Sequence, residues 1–127
     1  MKKIIISRDK KLASAIVPYW IIIGVSKNEF MNTYDLEEDL CQNDIYGQVI
    51  PRIDSNVLSE LGIPIKRGQS IEIELTDDAN TLFVCTLHGS LSNEIKLDTI
   101  VPESGVYQVN IITKGGWKTV SYPYIDC

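Results

Sequence analysis

The sequence predicts a mainly β fold, an antiparallel β-sandwich with a helical or irregular insertion, and three observations carry that expectation. From Ser70 to Thr76, Ile71, Ile73 and Leu75 alternate with Ser70, Glu72, Glu74 and Thr76, the period of a strand with one face on a core and one in water. Thr81 to Leu87 places Leu82 and Val84 on one face and Phe83, Cys85 and Leu87 on the other, which calls for cover on both sides and an inner place in a sheet. Turn chemistry then separates short strands at regular spacing, as in a sandwich or an incomplete barrel. Asp77-Asp78-Ala79-Asn80 reads as the turn of a β-hairpin joining the first two stretches, because short polar side chains can bond their own backbone there. Lys66-Arg67-Gly68-Gln69 reads as the preceding turn, with Gly68 free to take a positive φ.

Taken in order, Lys2 to Ser7 is a β-branched first strand and Arg8 to Lys11 a charged turn. Tyr19-Trp20-Ile21-Ile22-Ile23 is apolar on both faces and predicts an inner strand, with Pro18 at its start because it lacks an N–H, and Gly24 at its end. Between Ser26 and Leu61 the alternation stops. Ser26 and Glu29 form a capping-box pair ahead of a partial helical stripe of Phe30, Tyr34, Leu36, Leu40 and Cys41. Ser55 to Leu61 predicts one or two further helical turns with Val57, Leu58 and Leu61 inward, closed by Gly62. A stretch of this length without strand character is long for a plain connection, so the insertion at about 26–61 is a place to look for function. Beyond the central strands, Ser92 to Asp98 alternates as a half-exposed strand, Val106 to Thr113 is a strand, Lys114-Gly115-Gly116 a hairpin turn, and Trp117 to Tyr122 the returning strand.

A chain of 127 residues fits one domain, 1–127, large enough to bury a core without metal or disulfide staples. The formal net charge of −5 and scattered lysines and arginines argue against a phosphate-binding surface, so no nucleic-acid partner is expected. The apolar run Ile4-Ile5-Ile6 is too short for the core of a signal peptide. The run from Ala15 to Val25, broken by Pro18, is about half of the roughly 20 residues that span a bilayer, so no membrane span is expected. Three widely spaced cysteines, Cys41, Cys85 and Cys127, fit reduced thiols, and a cytoplasmic location is the expectation.

A first strand ending in Arg8, then Lys11-Leu12-Ala13-Ser14-Ala15 leading into an inner strand with Gly24, then Lys66 to Leu75, then Ser92-Asn93-Glu94, together resemble a group of small bacterial β-sandwich domains of unknown function, similar in outline to PEGA-type modules. The resemblance covers Ile4 to Gly24 and Leu61 to Leu97 and rests on turns and strand patterns. It implies the sandwich fold and names no activity. Asp77 to Asn80, where Pro-Gly would be usual, and the insertion from Ser26 to Leu61 depart from that pattern.

Residues able to carry chemistry are few. The acidic group Asp35, Glu37, Glu38, Asp39 and Asp44 could offer oxygen ligands to Ca²⁺, with Asp35, Glu38 and Asp39 as the candidate metal residues, but its spacing lacks the EF-hand pattern and a solvated helix face explains it as well. His88 is the only histidine and no cysteine pair has zinc-like spacing. Cys85 and His88, three apart on an extended strand, fall on opposite faces about 10 Å apart, which leaves Cys85 as a small core residue. Trp117, Tyr122 and Tyr124 are the candidate ligand-binding residues, as an aromatic platform for a sugar or peptide, while Trp20 reads as core. With no convergent acid, base and nucleophile set, the expectation is a non-catalytic binding or protein-interaction module without a cofactor, acting on a protein partner or by self-association. The alternatives are a small-ligand, carbohydrate or cation-binding domain, and a hydrolase using a carboxylate pair.

Overall fold

Alternation in the first strand decides what the sandwich has for an interior. In β1 (Lys2–Arg8), Ile4, Ile6 and Arg8 are buried while Lys3, Ile5 and Ser7 are partly exposed on the other face. The structure is a computed structural model that describes residues 2–10, 18–34, 54–86, 91–97, 105–114 and 122–126. The remaining strands are β2 (Tyr19–Ile23), β3 (Ile63–Ile65), β4 (Ser70–Leu75), β5 (Thr81–Cys85), β6 (Ile95–Lys96), β7 (Gly105–Lys114) and β8 (Tyr122–Asp126). Two helices, α1 (Lys27–Thr33) and α2 (Ser55–Leu61), lie within the expected insertion.

The strands form two four-stranded sheets, ordered β4-β1-β7-β8 and β3-β2-β5-β6. All pairs are antiparallel except β1 with β7, which run parallel with Ile4 opposite Tyr107 and Ile6 opposite Val109. Ile4, Ile6, Leu75, Val109, Ile111 and Ile125 from the first sheet meet Tyr19, Ile21, Ile65, Leu82, Val84 and Ile95 from the second in one core. The outer face of the second sheet carries its own cluster. Trp20, Ile22, Phe83 and Cys85 pack there under Phe30 of α1 and Leu58 of α2, with Phe30 meeting Phe83 edge-on at 5.2 Å between ring centroids. The two-sided apolar pattern of β2 and β5 therefore has a physical partner on each side, and Trp20 and Cys85 are core residues as expected. The first sheet's outer face has no covering element among the described residues.

Local signals hold at the start of both helices, whereas Leu61, expected inward, is 42% exposed at the end of α2. Ser26 Oγ accepts from the Glu29 N–H at 3.1 Å, and Asp54 Oδ1 accepts from the Asn56 N–H at 2.7 Å, so each helix begins on a side-chain cap. Gly62 closes α2 in extended conformation, at φ −139°, and its lack of a side chain matters for packing. A Cβ at Gly62 would stand 2.6 Å from Ile22 Cδ1 and 2.7 Å from the Ile21 carbonyl oxygen, so the helix end presses directly on β2. Gly68 takes the positive φ its turn requires, +73°, and its N–H donates to the Asp9 carbonyl.

Three expectations about connections are corrected. β4 and β5 are not a hairpin: β4 pairs with β1 and β5 with β2, and Thr76 to Asn80 carries the chain from one sheet to the other. Leu75 and Leu82 both belong to the core between the sheets, and that burial outweighs the local pairing a short polar turn would allow. The strand expected over Ser92 to Asp98 shrinks to Ile95–Lys96, because Ser92, Asn93 and Glu94 use their side chains for other bonds. The returning strand, expected to end at Tyr122, runs over Tyr122–Asp126, with Asn110 opposite Asp126 and Lys114 opposite Tyr122, while Trp117 to Ser121 lie outside the described residues.

Gly62→Ala tests the close approach of α2 to β2. Because one obstructing atom is backbone, we expect a loss of about 1–3 kcal/mol in denaturant unfolding, whereas an equal or greater stability would mean that the helix end moves freely.

Candidate functional site

The sandwich has two chemically different seams, one at β5, β6 and β8 and the other at β3 and β4, and a buried charge holds one end of the second. Arg8 is 3% exposed and projects from β1 into the space between the sheets. Its guanidinium carbon lies 3.6 Å from the centroid of the Tyr19 ring, and Nη1 donates to the Ile65 carbonyl at 2.9 Å. Tyr19 Oη shares a hydrogen bond of 2.8 Å with Thr113 Oγ1. Asp9 Oδ2 accepts from the Thr113 N–H at 2.8 Å and Oδ1 from the Thr113 hydroxyl at 3.2 Å. Burial lowers the Arg8 pKa from its ordinary value, and Tyr19 and Asp9 act against that shift. A guanidinium keeps its proton in any such setting. The sequence reading placed Arg8 in a turn, whereas its shared parity with Ile4 and Ile6 was the signal for an inward side chain.

The seam at β5, β6 and β8 is closed by Ser92-Asn93-Glu94, the triplet that entered the family resemblance. Ser92 Oγ accepts from the Val84 N–H at 2.7 Å, which ties the segment to β5. Asn93 Oδ1 accepts from the Ile125 N–H at 2.7 Å and Asn93 Nδ2 donates to the Ile125 carbonyl at 3.0 Å, so one side-chain amide pairs with the outer edge of β8 as a neighbouring strand would. Glu94 Oε2 accepts from the Lys27 N–H at 2.6 Å at the start of α1, and Oε1 lies 3.1 Å from Lys96 Nζ. Partial burial opposes ionisation of Glu94, but the Lys27 N–H and the Lys96 ammonium outweigh it and hold the carboxyl below its ordinary value.

The β3–β4 seam is different. The Arg8 N–H donates to the Gln69 carbonyl at 2.9 Å, on the register that pairs Ile6 with Ile71 and Ile4 with Ile73. Antiparallel alternation then puts Ile71, Ile73 and Leu75 in the hydrogen-bonded pairs with β1 and turns the N–H and C=O groups of Ser70, Glu72 and Glu74 outward. No described residue hydrogen-bonds to that outer edge. The side chains of Glu72 and Glu74 are exposed and share one cation, Lys3 Nζ, at 3.6 and 3.9 Å. Ile71 and Ile73 face inward but are only partly buried. Ile63 of β3, on the same face as the buried Ile65, remains 38% exposed.

Of the candidate ligand residues, Trp117 lies outside the described residues, and Tyr122 is placed only by its register opposite Lys114. Tyr124 is half-buried, pairs across with Ile112, and carries Lys114 Nζ 3.9 Å from its ring centroid, so a lysine of the chain itself occupies one face of that ring. The candidate metal residues Asp35, Glu38 and Asp39 lie outside the described residues, as do Cys41, His88 and Cys127. Among the described residues no three His, Cys, Asp or Glu side chains are grouped to hold a metal ion, and no helix is long and apolar enough to cross a membrane.

Two measurements check these networks. Arg8→Ala removes the ion that joins β1 to Tyr19 and Ile65, and we expect a loss of about 2–4 kcal/mol in urea unfolding; a loss below about 1 kcal/mol would show the guanidinium to be dispensable. For Glu94 the folded carboxyl is the stronger acid. Its stabilising contribution is complete above the ordinary value of 4.5 and disappears as pH falls through the lower folded value. The stability gap between the wild type and Glu94→Gln should therefore be widest at neutral pH and close in acid, and a gap independent of pH would contradict the bonding described.

No protein-family model matches the sequence, and no curated protein matches it. Among solved structures the chain is similar to Serratia marcescens Lip, described as a membrane-bound component of the Type VI secretion system, over 98% of this chain and 96% of that one, at 14% identity and a TM-score of 0.44. The likeness is distant, and no functional reading is built on it. Because that chain is described as membrane bound, the finding points away from the cytoplasmic location expected from the cysteines, and that location is withdrawn.

Proposed function

We propose that this protein is a non-catalytic protein-interaction module that receives an extended segment of its partner along the outer edge of β4. The supporting observation is the unequal treatment of the four sheet edges. An unpaired strand edge is a template for another chain, and natural proteins blunt such edges unless they use them. β3 carries Pro64, which has no N–H to offer, at its centre. β6 is two residues long. β8 has Ile125 paired on both backbone groups by Asn93. β4 is six residues long, and Ser70, Glu72 and Glu74 keep their backbone groups directed outward.

Support for a non-catalytic role comes from how the half-buried carboxylates are used. Both oxygens of Asp9 accept from Thr113, and Glu94 accepts from Lys27 and faces Lys96, so each is spent on a bond that joins elements of the fold.

The test uses the full chain in the cells that make it. A photoreactive amino acid at Glu74, beside the open edge, is expected to give a discrete protein adduct, and the same group at Ser59 on α2 is not. Glu72→Pro, which removes an outward N–H while leaving the bonds to β1, should abolish the adduct and keep the cooperative unfolding transition. Ile73→Pro, which removes a bond to β1, should instead destabilise the fold. Equal adducts at both positions, or an adduct indifferent to Glu72→Pro in a folded chain, would overturn the proposal.

A further inference from the structure

The character of the partner segment is written on the two sides of β4. A strand added to this edge places its residues directly opposite Ser70, Glu72 and Glu74 in hydrogen-bonded pairs, with side chains roughly 5 Å apart on the outer face. Two carboxylates stand there against the single ammonium of Lys3, at 3.6 and 3.9 Å, so the row keeps a net negative charge. The alternate residues of an added strand turn to the inner side, next to Ile71 and Ile73. Those two isoleucines pack on the core yet stay partly exposed, in contrast with Ile4 and Ile6, which are wholly buried one strand further in. Ile63 of the neighbouring edge strand leaves further apolar surface on the same side.

We infer that the segment received at β4 is an extended strand of another protein in which basic residues, facing Glu72 and Glu74, alternate with apolar residues that complete the core beside Ile71 and Ile73. This rests on the strand-addition reading above and names the chemistry of its partner. A second copy of this chain is the poorer occupant. The two registers that overlap most of β4 with itself set Glu72 against Glu72 or against Glu74, and like charges directly opposite one another are unfavourable.

The probe is a fluorescently labelled eight-residue peptide of alternating Lys and Val, titrated into the full chain and read by anisotropy. Three others of equal length accompany it: Thr-Val alternation, Glu-Val alternation, and the Lys and Val residues in an order that breaks alternation. The Lys-Val peptide should bind best, by roughly two- to fivefold over Thr-Val for each carboxylate it faces. Glu-Val should bind worst, and added salt should erode the differences. Glu72→Gln with Glu74→Gln should bring Lys-Val to the level of Thr-Val without altering any backbone group, and Glu72→Pro should abolish both. Equal binding of Lys-Val and Thr-Val, lost together in Glu72→Pro, would overturn the basic character while leaving strand addition in place. Equal binding of the non-alternating peptide would overturn the alternation. Binding unchanged by Glu72→Pro in a folded chain would overturn the inference and the strand-addition reading together. Self-association in sedimentation that is lost in Glu72→Pro would replace the foreign strand with a second copy.

Discussion

The buried guanidinium of Arg8 constrains more of this molecule than any other single group. Taking such an ion out of water costs several kcal/mol even after relaxation, and the cost is met only where the surroundings supply both hydrogen-bond acceptors and a favourable field. Here the acceptor is the Ile65 carbonyl of β3 and the field comes from the face of Tyr19 in β2, both from the opposite sheet. A cation over a desolvated aromatic ring is worth about 2 kcal/mol or more, so Arg8 holds the sheets in one relative position instead of leaving them to slide on isoleucine. Tyr19 passes the constraint through its hydroxyl to Thr113 on β7, and Thr113 returns it to Asp9 beside β1. The same short stretch sets the turn before β4, since the Arg8 N–H bonds Gln69 and the Asp9 carbonyl receives the Gly68 N–H. The position of the open edge therefore follows from residues 8 and 9.

What separates the two seams is how backbone groups are satisfied. At β8 a side-chain amide imitates a strand, which satisfies Ile125 without adding a residue to the sheet. Ser92 and Glu94 fasten the same segment to β5 and α1, so the closure is anchored on three elements at once. Nothing comparable among the described residues sits along β4, whose outward groups bond to none of them. The inner side of that strand shows the same incompleteness in its packing, because Ile71 and Ile73 approach the core without being enclosed by it. Backbone and side chains are thus incomplete along the same strand among the described residues, and the two observations are independent.

Much of this was legible in the sequence, and the division between what was and was not is physical. Period-two alternation is local, so the inward face of β4 and the two-sided cover of β2 and β5 could be read directly. The caps at Ser26 and the turn at Gly68 are local too. Strand partners are not, and the expected β4–β5 hairpin became a sheet-to-sheet connection because Leu75 and Leu82 meet in a core assembled from distant strands. Arg8 was passed over because a charge after a β-branched run ordinarily marks a turn, whereas its parity with Ile4 and Ile6 was the better guide. Ser92 to Asp98 alternates well enough to mimic a strand, yet Ser92, Asn93 and Glu94 spend their side chains on β5, β8 and α1. Tyr124 reads from the sequence as a candidate ligand-binding aromatic, but the approach of Lys114 to its ring depends on a register that no local pattern contains.

On the strand-addition reading proposed above, the carboxylates on β4 explain how such an edge would discriminate against copies of its own chain. An uncharged edge of six residues with apolar flanks would pair with any copy it met, whereas Glu72 meets a carboxylate, its own counterpart or Glu74, in each well-overlapped self-pairing. Those charges lie on the outer face and do not obstruct the N–H and C=O groups, which run in the plane of the sheet. Repulsion therefore acts on the identity of the incoming strand and not on the act of pairing. Lys3 tempers it without abolishing it, since one ammonium serves two carboxylates that are both exposed to solvent. A partner carrying its own cations gains what a second copy loses, and the difference grows with every residue of β4 it covers. On that reading, selectivity at this edge would follow from where two glutamates fall in an alternating strand, with the backbone supplying the adhesion.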